Sequence, residues 1–217
     1  AITYTNNDYG KGLADVYSAA VKAHGIKVTT EAAHEDGKAD YSAEVATLAS
    51  AGGDAVAVIG YLDQGGKGII QGSLDSGAFD KFILSDGMIG DSLTDAFGKD
   101  LNKSFGSLPG STGKGAGVFK KVASAASIDS SGPYTGESYD AAALITLAMQ
   151  AGGKADRATI QQNVMSVANA PGKKIYPGQL KKALDLLAKG KDINYEGATG
   201  VEFTEVGEAF GSFLEKE

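Results

Sequence analysis

Polar and aromatic side chains stand directly after three apolar stretches of the sequence, where each stretch gives way to a turn. Tyr9 stands in the turn after the run AITYT, Tyr61 follows AVAVIG, and Asp86 follows FILS. A tyrosine offers a broad apolar ring with a polar tip, which suits the wall of a small-molecule site. A carboxylate that accepts a charge-assisted hydrogen bond from a ligand ammonium contributes about 1.5–3 kcal/mol. These residue types predict a site for a small ligand with a positively charged group.

Each of these side chains also has a purely structural interpretation. A carboxylate at the end of an apolar strand is costly unless it caps a helix, stays hydrated or meets a cation. Asp86 would therefore cap a helix that begins at Met88. Tyr9 would pack on the core, while Asn7 and Asp8 form the turn and Asp8 caps the helix that follows. At the level of the sequence both interpretations stay open.

Short β-rich runs alternate with helical patterns over the first hundred or so residues. The runs predict strands at ITYT, IKVTTEAA, AVAVIG, KFILSDG and SFGSLPG. Short loops and right-handed crossovers then give a parallel sheet with helices on both faces, an α/β doubly wound lobe of flavodoxin-like order 2-1-3-4-5. The first helix is expected to bury a face made of Tyr9, Leu13, Val16, Tyr17, Ala20 and Val21.

In such a sheet, ligands bind beyond the carboxyl ends of the strands. The turns after the strands therefore form one edge, and we expect Tyr9, Tyr61 and Asp86 to lie together there. Asn7 and Asp63 occupy the same turns and are further candidates for ligand contact. We also expect two nearby glycines to close the first turn and let a ligand approach the backbone, namely Gly10 and Gly12.

The character of the sequence changes after Gly110. STGKGAG predicts a flexible crossing, and the next eighty or so residues read almost entirely as helices, without strands of their own. Such helices cannot form a doubly wound lobe alone and indicate part of a second lobe. The tail returns to β structure, with two short strands predicted around Gly207. Because Ala1 stands inside a predicted strand, we expect a preceding segment.

Composition excludes several functions. The 20 Lys and Arg against 27 Asp and Glu, a net charge of −7, argue against binding to a nucleic-acid backbone. The absence of cysteine removes disulfides, thiolate catalysis and cysteine-based zinc sites. The longest apolar run, AAALITLAMQA at 141–151, is too short to span a bilayer.

Catalytic and nucleotide-binding motifs are also missing. STGKGAG departs from the phosphate-loop pattern, since Leu108 stands where the first glycine belongs and Gly115 where Ser or Thr should follow the lysine. His24 and His34, the only histidines, are expected to be solvated and away from the edge. Ser85, next to Asp86, has no evident base to activate it as a nucleophile. No enzyme activity and no metal or cofactor is indicated.

Six segments in order resemble the periplasmic branched-chain amino-acid binding proteins, which are type I solute-binding proteins of ABC importers. The segments are TNNDYGKGLA, GKADYSAEVATL, VIGYLDQGGKGIIQ, FILSDGM, GPYTGESYDAAALITLAMQAGG and GATGVEFTEVGEAFGSF. The resemblance implies the type I periplasmic-binding-protein fold, in which two lobes close on a ligand. It implies that 1–112 and 200–217 form lobe two, that 113–199 is a helical return to lobe one, and that the N-terminal part of lobe one is absent from this chain.

The resemblance also implies a function and a site. A small amino acid or analogue is captured between the lobes and delivered to a membrane permease, without nucleic acid, by a monomer in the periplasm or anchored outside a Gram-positive cell. Tyr9, Tyr61 and Asp86 match the family's ligand-contacting positions, with Asp86 holding the ammonium and Asp63 as a secondary candidate. An aspartate is shorter than the glutamate often found there, and YLDQGGKG is unusually rich in glycine. The alternative is a ligand-sensing effector domain of a related receptor or repressor.

Overall fold

The computed structural model describes all residues from 1 to 217, which divide into two compact units. Unit 1 comprises Ala1–Leu108 and Glu215–Glu217, and unit 2 comprises Pro109–Leu214. None of the helices combines the length and the apolar character needed to cross a membrane. The assignment of segments to lobes of a larger protein stays a prediction.

A six-stranded sheet has the order β10-β5-β4-β3-β1-β2, and its strands β1 to β4 lie wholly within unit 1. The strands are β1 (Ile2–Thr5), β2 (Glu31–His34), β3 (Val56–Ile59), β4 (Phe82–Leu84), β5 (Phe105–Pro109) and β10 (Phe213–Lys216). The first five pair in parallel, with Ile2 opposite both Glu31 and Ala57 in the register of β1 with its neighbours. The predicted doubly wound fold with order 2-1-3-4-5 is confirmed.

Helices connect consecutive strands of this sheet. They are α1 (Asp8–Ala23), α2 (Ser42–Ala51), α3 (Gly66–Ser76) and α4 (Asp91–Phe97), and short 3₁₀ turns cover Leu62–Gln64, Asp86–Met88 and Gly98–Leu101. Alternate residues of β3 enter different cores: Val58 packs with residues of α2 and α3, whereas Ile59 packs with α1. Helices thus cover both faces of the sheet, so β3 is buried along its whole length.

The buried face of α1 differs from the predicted one. Val16 is 68% exposed, and the fully buried positions are the small residues Gly10, Ala14 and Ser18. A Cβ on Gly10 would lie 2.0 Å from the carbonyl oxygen of Thr5, so the helix approaches β1 more closely than a larger residue allows. The predicted role of Gly10 in closing the turn therefore has a steric basis. Gly12 has open space around it and does not share this role.

Unit 2 contains helices and two small sheets. The helices are α5 (Lys114–Ala125), α6 (Thr135–Gly152), α7 (Arg157–Ala168) and α8 (Leu180–Leu187). A parallel pair joins β6 (Lys173–Ile175) to β7 (Ile193–Tyr195), and an antiparallel pair joins β8 (Glu202–Phe203) to β9 (Ala209–Phe210). The prediction of strands around Gly207 agrees with β8 and β9. The prediction of helices alone before residue 200 is wrong, because β6 and β7 lie in that segment.

A buried carboxylate fixes the turn that follows β7. Asp140 on α6 accepts hydrogen bonds from the Tyr195 hydroxyl at 2.9 Å and from the backbone amides of Ala198 and Thr199 at 2.8 Å each. Gly197 in this turn has a φ of +56°, and a Cβ there would lie 2.3 Å from Asp140 Oδ1. The segments ESYD and GATG are therefore connected, because Asp140 at the end of the first holds the turn formed by the second.

Candidate functional site

The structure brings Tyr9, Tyr61 and Asp86 together at the carboxyl edge of the parallel sheet in unit 1. The rings of Tyr9 and Tyr61 stack with centroids 5.3 Å apart and an interplanar angle of 25°. The Tyr9 hydroxyl donates a hydrogen bond to Asp86 Oδ1 at 2.6 Å. All three side chains are half-buried. We call this group the Tyr9–Tyr61–Asp86 cluster.

The start of α1 positions Tyr9. The Asn7 side chain accepts a hydrogen bond from the Gly10 amide at 2.9 Å and so caps the helix. Asp8, which was expected to be the cap, is instead the first helical residue, where its charge suits the helix N-terminus. Tyr9 then projects from the first turn. Asn7 has a clear structural role, and a ligand contact by Asn7 stays a prediction.

Gly87 allows Tyr61 and Asp86 to approach each other. A Cβ on Gly87 would lie 2.4 Å from the carbonyl oxygen of Gly60 and 3.2 Å from a ring carbon of Tyr61. Any side chain at position 87 would therefore displace the turn after β3 from the turn after β4. The absence of a side chain at Gly87 is what lets the stacked tyrosines stand beside Asp86.

Ser85 is a member of the site that sequence reasoning considered only as a nucleophile. Its Oγ accepts a hydrogen bond from the Gly60 amide at 3.2 Å and lies 3.1 Å from the Tyr9 hydroxyl oxygen. The serine therefore links the turn after β3 to the Tyr9 phenol. Because Asp86 is the next residue in the chain, Ser85 also links that turn to Asp86. Its position directly after an apolar strand was the available signal, but the predicted edge began at Asp86 and did not include Ser85.

The protonation of Tyr9 is held by its surroundings. Burial, together with the hydrogen bond to Asp86, raises the pKa of the Tyr9 phenol to about 12. The phenol is therefore a reliable donor at neutral pH. It orients the Asp86 carboxylate, a group that can accept several hydrogen bonds.

Asp63 has a different environment from the cluster. It is exposed and pairs with Lys67 at 2.5 Å, while the Ser92 hydroxyl lies 3.5 Å away. Hydrogen bonding to Lys67 keeps the pKa of Asp63 below its usual range. An exposed pair one helical turn apart contributes little to stability. A ligand role for Asp63 stays a prediction.

The two histidines differ from each other. His24 is exposed at the end of α1, as expected. His34 was expected to be solvated, and this is wrong: it is the last residue of β2 and 1% exposed, with Nδ1 2.9 Å from Thr3 Oγ1. Its burial arises because the side chain lies over β1 instead of entering the loop. No group of three His, Cys, Asp or Glu side chains is arranged to hold a metal ion.

The cluster offers an aromatic wall and a carboxylate beside it. Stacked rings contact apolar groups of a ligand, and a half-buried carboxylate holds a cationic group more strongly than one in bulk water. The arrangement is suited to binding.

The fold is that of type I periplasmic binding proteins. The structure is similar to the leucine binding protein LivK of Thermotoga maritima, with 18% identity and a TM-score of 0.72 over 99% of this chain and 56% of that one. It is also similar to a periplasmic binding protein type 1 of Bordetella pertussis, with 18% identity, a TM-score of 0.68, and coverage of 98% and 60%. A substrate-binding protein of an ABC transporter from Desulfitobacterium hafniense, solved with Leu, matches at 17% identity and a TM-score of 0.62 over 100% and 57%. The resemblance to branched-chain amino-acid binding proteins is thus confirmed in the fold.

One curated relative matches in sequence. It is the chemotactic signal transduction system substrate-binding protein BasB of Halobacterium salinarum, with 40% identity over 68 residues, or 31% of this chain and 16% of the relative. No protein-family model matches the chain. The chain spans about 56–60% of the first two solved structures and a much smaller part of the curated relative.

Proposed function

We propose that this chain is part of the substrate-binding component of an ABC importer, which captures a small amino acid or analogue between two lobes and delivers it to a membrane permease. The observation that carries the proposal is the Tyr9–Tyr61–Asp86 cluster at the carboxyl edge of the sheet, where doubly wound folds bind ligands. The solved structures that share the fold support it, since they are named as binding proteins for leucine or as ABC transporter components.

The cluster suits an α-amino acid with an apolar side chain. Asp86 would accept from the ligand ammonium, and the stacked faces of Tyr9 and Tyr61 would pack against the apolar side chain. Leucine and isoleucine are the ligands named for two of the solved structures with this fold. An aspartate reaches less far than a glutamate, so the ligand ammonium would sit close to the turn after β4.

The rest of the site would come from the opposing lobe. On this proposal 1–112 and 200–217 belong to lobe two, and 113–199 returns to lobe one. The complete protein would act without catalysis, as a monomer, in the periplasm or outside the cell. Closure of the lobes would bury the ligand, and the closed form would dock on the permease.

Calorimetry with a panel of amino acids on the complete protein tests this function. We expect one ligand per protein with micromolar or tighter affinity, below about −8 kcal/mol, and an unchanged ligand after incubation. Formation of a product would overturn the proposal. Residues 1–217 alone should bind weakly, because the opposing lobe supplies the remaining contacts.

A second function is favoured by the sequence match to a chemotactic substrate-binding protein. In this alternative, the same ligand-loaded form would dock on a sensory receptor instead of a permease. Deletion of the gene separates the two. Loss of uptake of the labelled amino acid supports the importer, whereas loss of movement towards that amino acid with normal uptake supports the sensor.

A further inference from the structure

His34 lies beneath the turn that carries Tyr61. Its imidazole extends from the edge strand β2 across β1, where Nδ1 is 2.9 Å from Thr3 Oγ1. The other side of the ring meets Gly60, the residue after β3: a Cβ on Gly60 would lie 3.0 Å from His34 Nε2 and 3.3 Å from Cε1. The ring is therefore wedged between β1 and the start of the turn after β3.

Gly60 transmits this contact to the Tyr9–Tyr61–Asp86 cluster. Its amide donates to Ser85 Oγ at 3.2 Å, its carbonyl abuts Gly87, and the next residue is Tyr61. A shift of Gly60 would therefore move the Tyr61 ring and the Ser85 contact together. No hydrogen bond or ring stacking joins His34 to Tyr9 or Tyr61, so its effect on these two residues would pass through this backbone.

The ring is held in its neutral form by the burial of a nitrogen without a partner. His34 Nε2 is buried and makes no hydrogen bond. Burial lowers the pKa of His34, opposed by the charges of Asp36, Glu44 and Glu35. When the neutral ring carries its proton on Nδ1, towards Thr3 Oγ1, a second proton must go to Nε2, where it would be a buried donor against Gly60 without an acceptor.

The groups that surround His34 determine what protonation does. Asp36 accepts from the Thr5 hydroxyl on β1 at 2.7 Å, and the ring of Tyr41 lies edge-on to His34 with centroids 6.2 Å apart. On α2, one oxygen of Glu44 pairs with Lys38 at 2.6 Å, but Oε2 is buried without a hydrogen-bond partner. An imidazolium would be attracted to this acceptor and away from Gly60.

We propose that His34 is a positioning residue of the ligand site: the neutral imidazole fixes the backbone of Gly60 and thereby Tyr61 and Ser85, and protonation releases that backbone and weakens ligand capture in acid. The structural part depends on no ligand. The ligand part rests on the proposed amino-acid binding function.

Nuclear magnetic resonance of the complete protein without ligand tests the structural part. Sequential backbone assignment identifies the His34 signal, and His24→Asn distinguishes it from that of the other histidine in 1–217. We expect His34 to titrate below 6.5, its ordinary value, and the Tyr9 and Tyr61 ring signals to shift with the same midpoint. Tyrosine rings that do not move while His34 titrates, or a His34 that never titrates in the folded protein, would overturn the proposal.

Substitutions then locate the effect. In His34→Asn the Tyr9 and Tyr61 signals should lose that pH-dependent shift, whereas in His24→Asn, at an exposed position, they should keep it. Glu44→Gln should lower the His34 midpoint, since it removes a charge that favours the imidazolium. If His34→Asn fails to fold, the titration of the natural sequence and Glu44→Gln still decide the matter. A shift that persists in folded His34→Asn contradicts the proposal.

The ligand part uses L-leucine as the probe, with affinity measured from pH 8 to pH 5. When only the neutral form binds, the apparent dissociation constant rises up to about tenfold per pH unit below the His34 midpoint. We expect this rise in the natural sequence and in His24→Asn, and a flat profile in His34→Asn. Identical profiles in all three proteins would overturn the link to binding. Failure of L-leucine and the other amino acids to bind at any pH would count against the proposed function, while the ligand-free titration still tests His34.

Discussion

The phenol of Tyr9 and the carboxylate of Asp86, 77 residues apart in the chain, meet through a hydrogen bond of 2.6 Å. Tyr9 stands at the start of α1, and Asp86 follows β4. Because Tyr9 also stacks on Tyr61 after β3, turns from three strands converge on one phenol. The topology of a doubly wound sheet brings these turns together. The candidate site therefore combines stacked aromatic rings with a carboxylate.

Replacement of Asp86 by Asn should weaken ligands that carry an ammonium group. The amide keeps an acceptor oxygen but loses the charge, and hydrogen bonds to charged groups contribute about 1.5–3 kcal/mol, roughly a ten- to hundredfold change in affinity. Calorimetry should compare an amino acid with the hydroxy acid of the same side chain. Equal losses for both ligands would mean that Asp86 only supports the fold.

Asp63→Asn provides the matched control. Asp63 is exposed and paired with Lys67, so its replacement should change affinity by less than about threefold. The same measurement distinguishes the two candidates. A large loss in Asp63→Asn with little effect in Asp86→Asn would reverse their assigned roles.

The Tyr9 phenol should contribute to alkaline destabilisation. Its pKa is about 12 in the folded protein and has an ordinary value of 10, so between these pH values the folded state binds more protons than the unfolded state. Stability from this group is present below pH 10 and is lost as pH rises towards 12. Urea denaturation of the natural sequence and of Tyr9→Phe should show a steeper loss for the natural sequence across this window.

The Asp86→Asn variant tests the cause of that shift. Burial is the larger cause and remains in the variant, whereas the hydrogen bond to a charged carboxylate is lost. The Tyr9 absorbance change on ionisation should therefore move to lower pH without reaching 10. An unchanged midpoint would show that Asp86 does not hold the phenolic proton.

Much of the site could be predicted from the sequence because it follows from strand order. Apolar strands alternating with helices predict a parallel sheet. Tyr9, Tyr61 and Asp86 lie in turns at its carboxyl edge and are therefore predicted to be neighbours. The sequence left open which polar residue caps α1. Asn7 caps the helix and Asp8 does not, because the backbone is extended at Asn7 and the helix begins at Asp8.

Other features were not predictable because they depend on tertiary contacts. The inner face of α1 consists of small residues, so a search for large apolar side chains selected Val16, which is exposed. The strands β6 and β7 have three residues each and leave too short a pattern to distinguish from helix. No pattern in the sequence around His34 indicates that this residue is buried, because its burial results from packing over β1.

Substitutions at Gly10 and Gly12 should have opposite effects on stability. Alanine at Gly10 would place its Cβ 2.0 Å from the Thr5 carbonyl oxygen, so α1 must move away from β1, at a cost of about 3 kcal/mol. Alanine at Gly12 meets nothing within 4 Å and should stabilise the helix by about 0.5–1 kcal/mol. Thermal denaturation of both variants compares them directly, and similar melting temperatures would contradict the close packing of α1.

Removal of the charge on Asp140 should destabilise unit 2. The buried carboxylate accepts from Tyr195 and from the amides of Ala198 and Thr199. In Asp140→Asn the new NH₂ group must face at least one of these donors, because all of them need an acceptor. The unpaired donors should cost about 2–4 kcal/mol.

The same chemical change at the surface of unit 2 is the control for Asp140. Asp185 pairs with Lys181 at 2.9 Å and its side chain is 58% exposed, so Asp185→Asn should change stability by less than about 0.5 kcal/mol. Hydrogen exchange of the Ala198 and Thr199 amides gives a local measurement, since both should lose protection in Asp140→Asn and keep it in Asp185→Asn. Retained protection in Asp140→Asn would show that Gly197 and its turn are held by the backbone of β7 without the carboxylate.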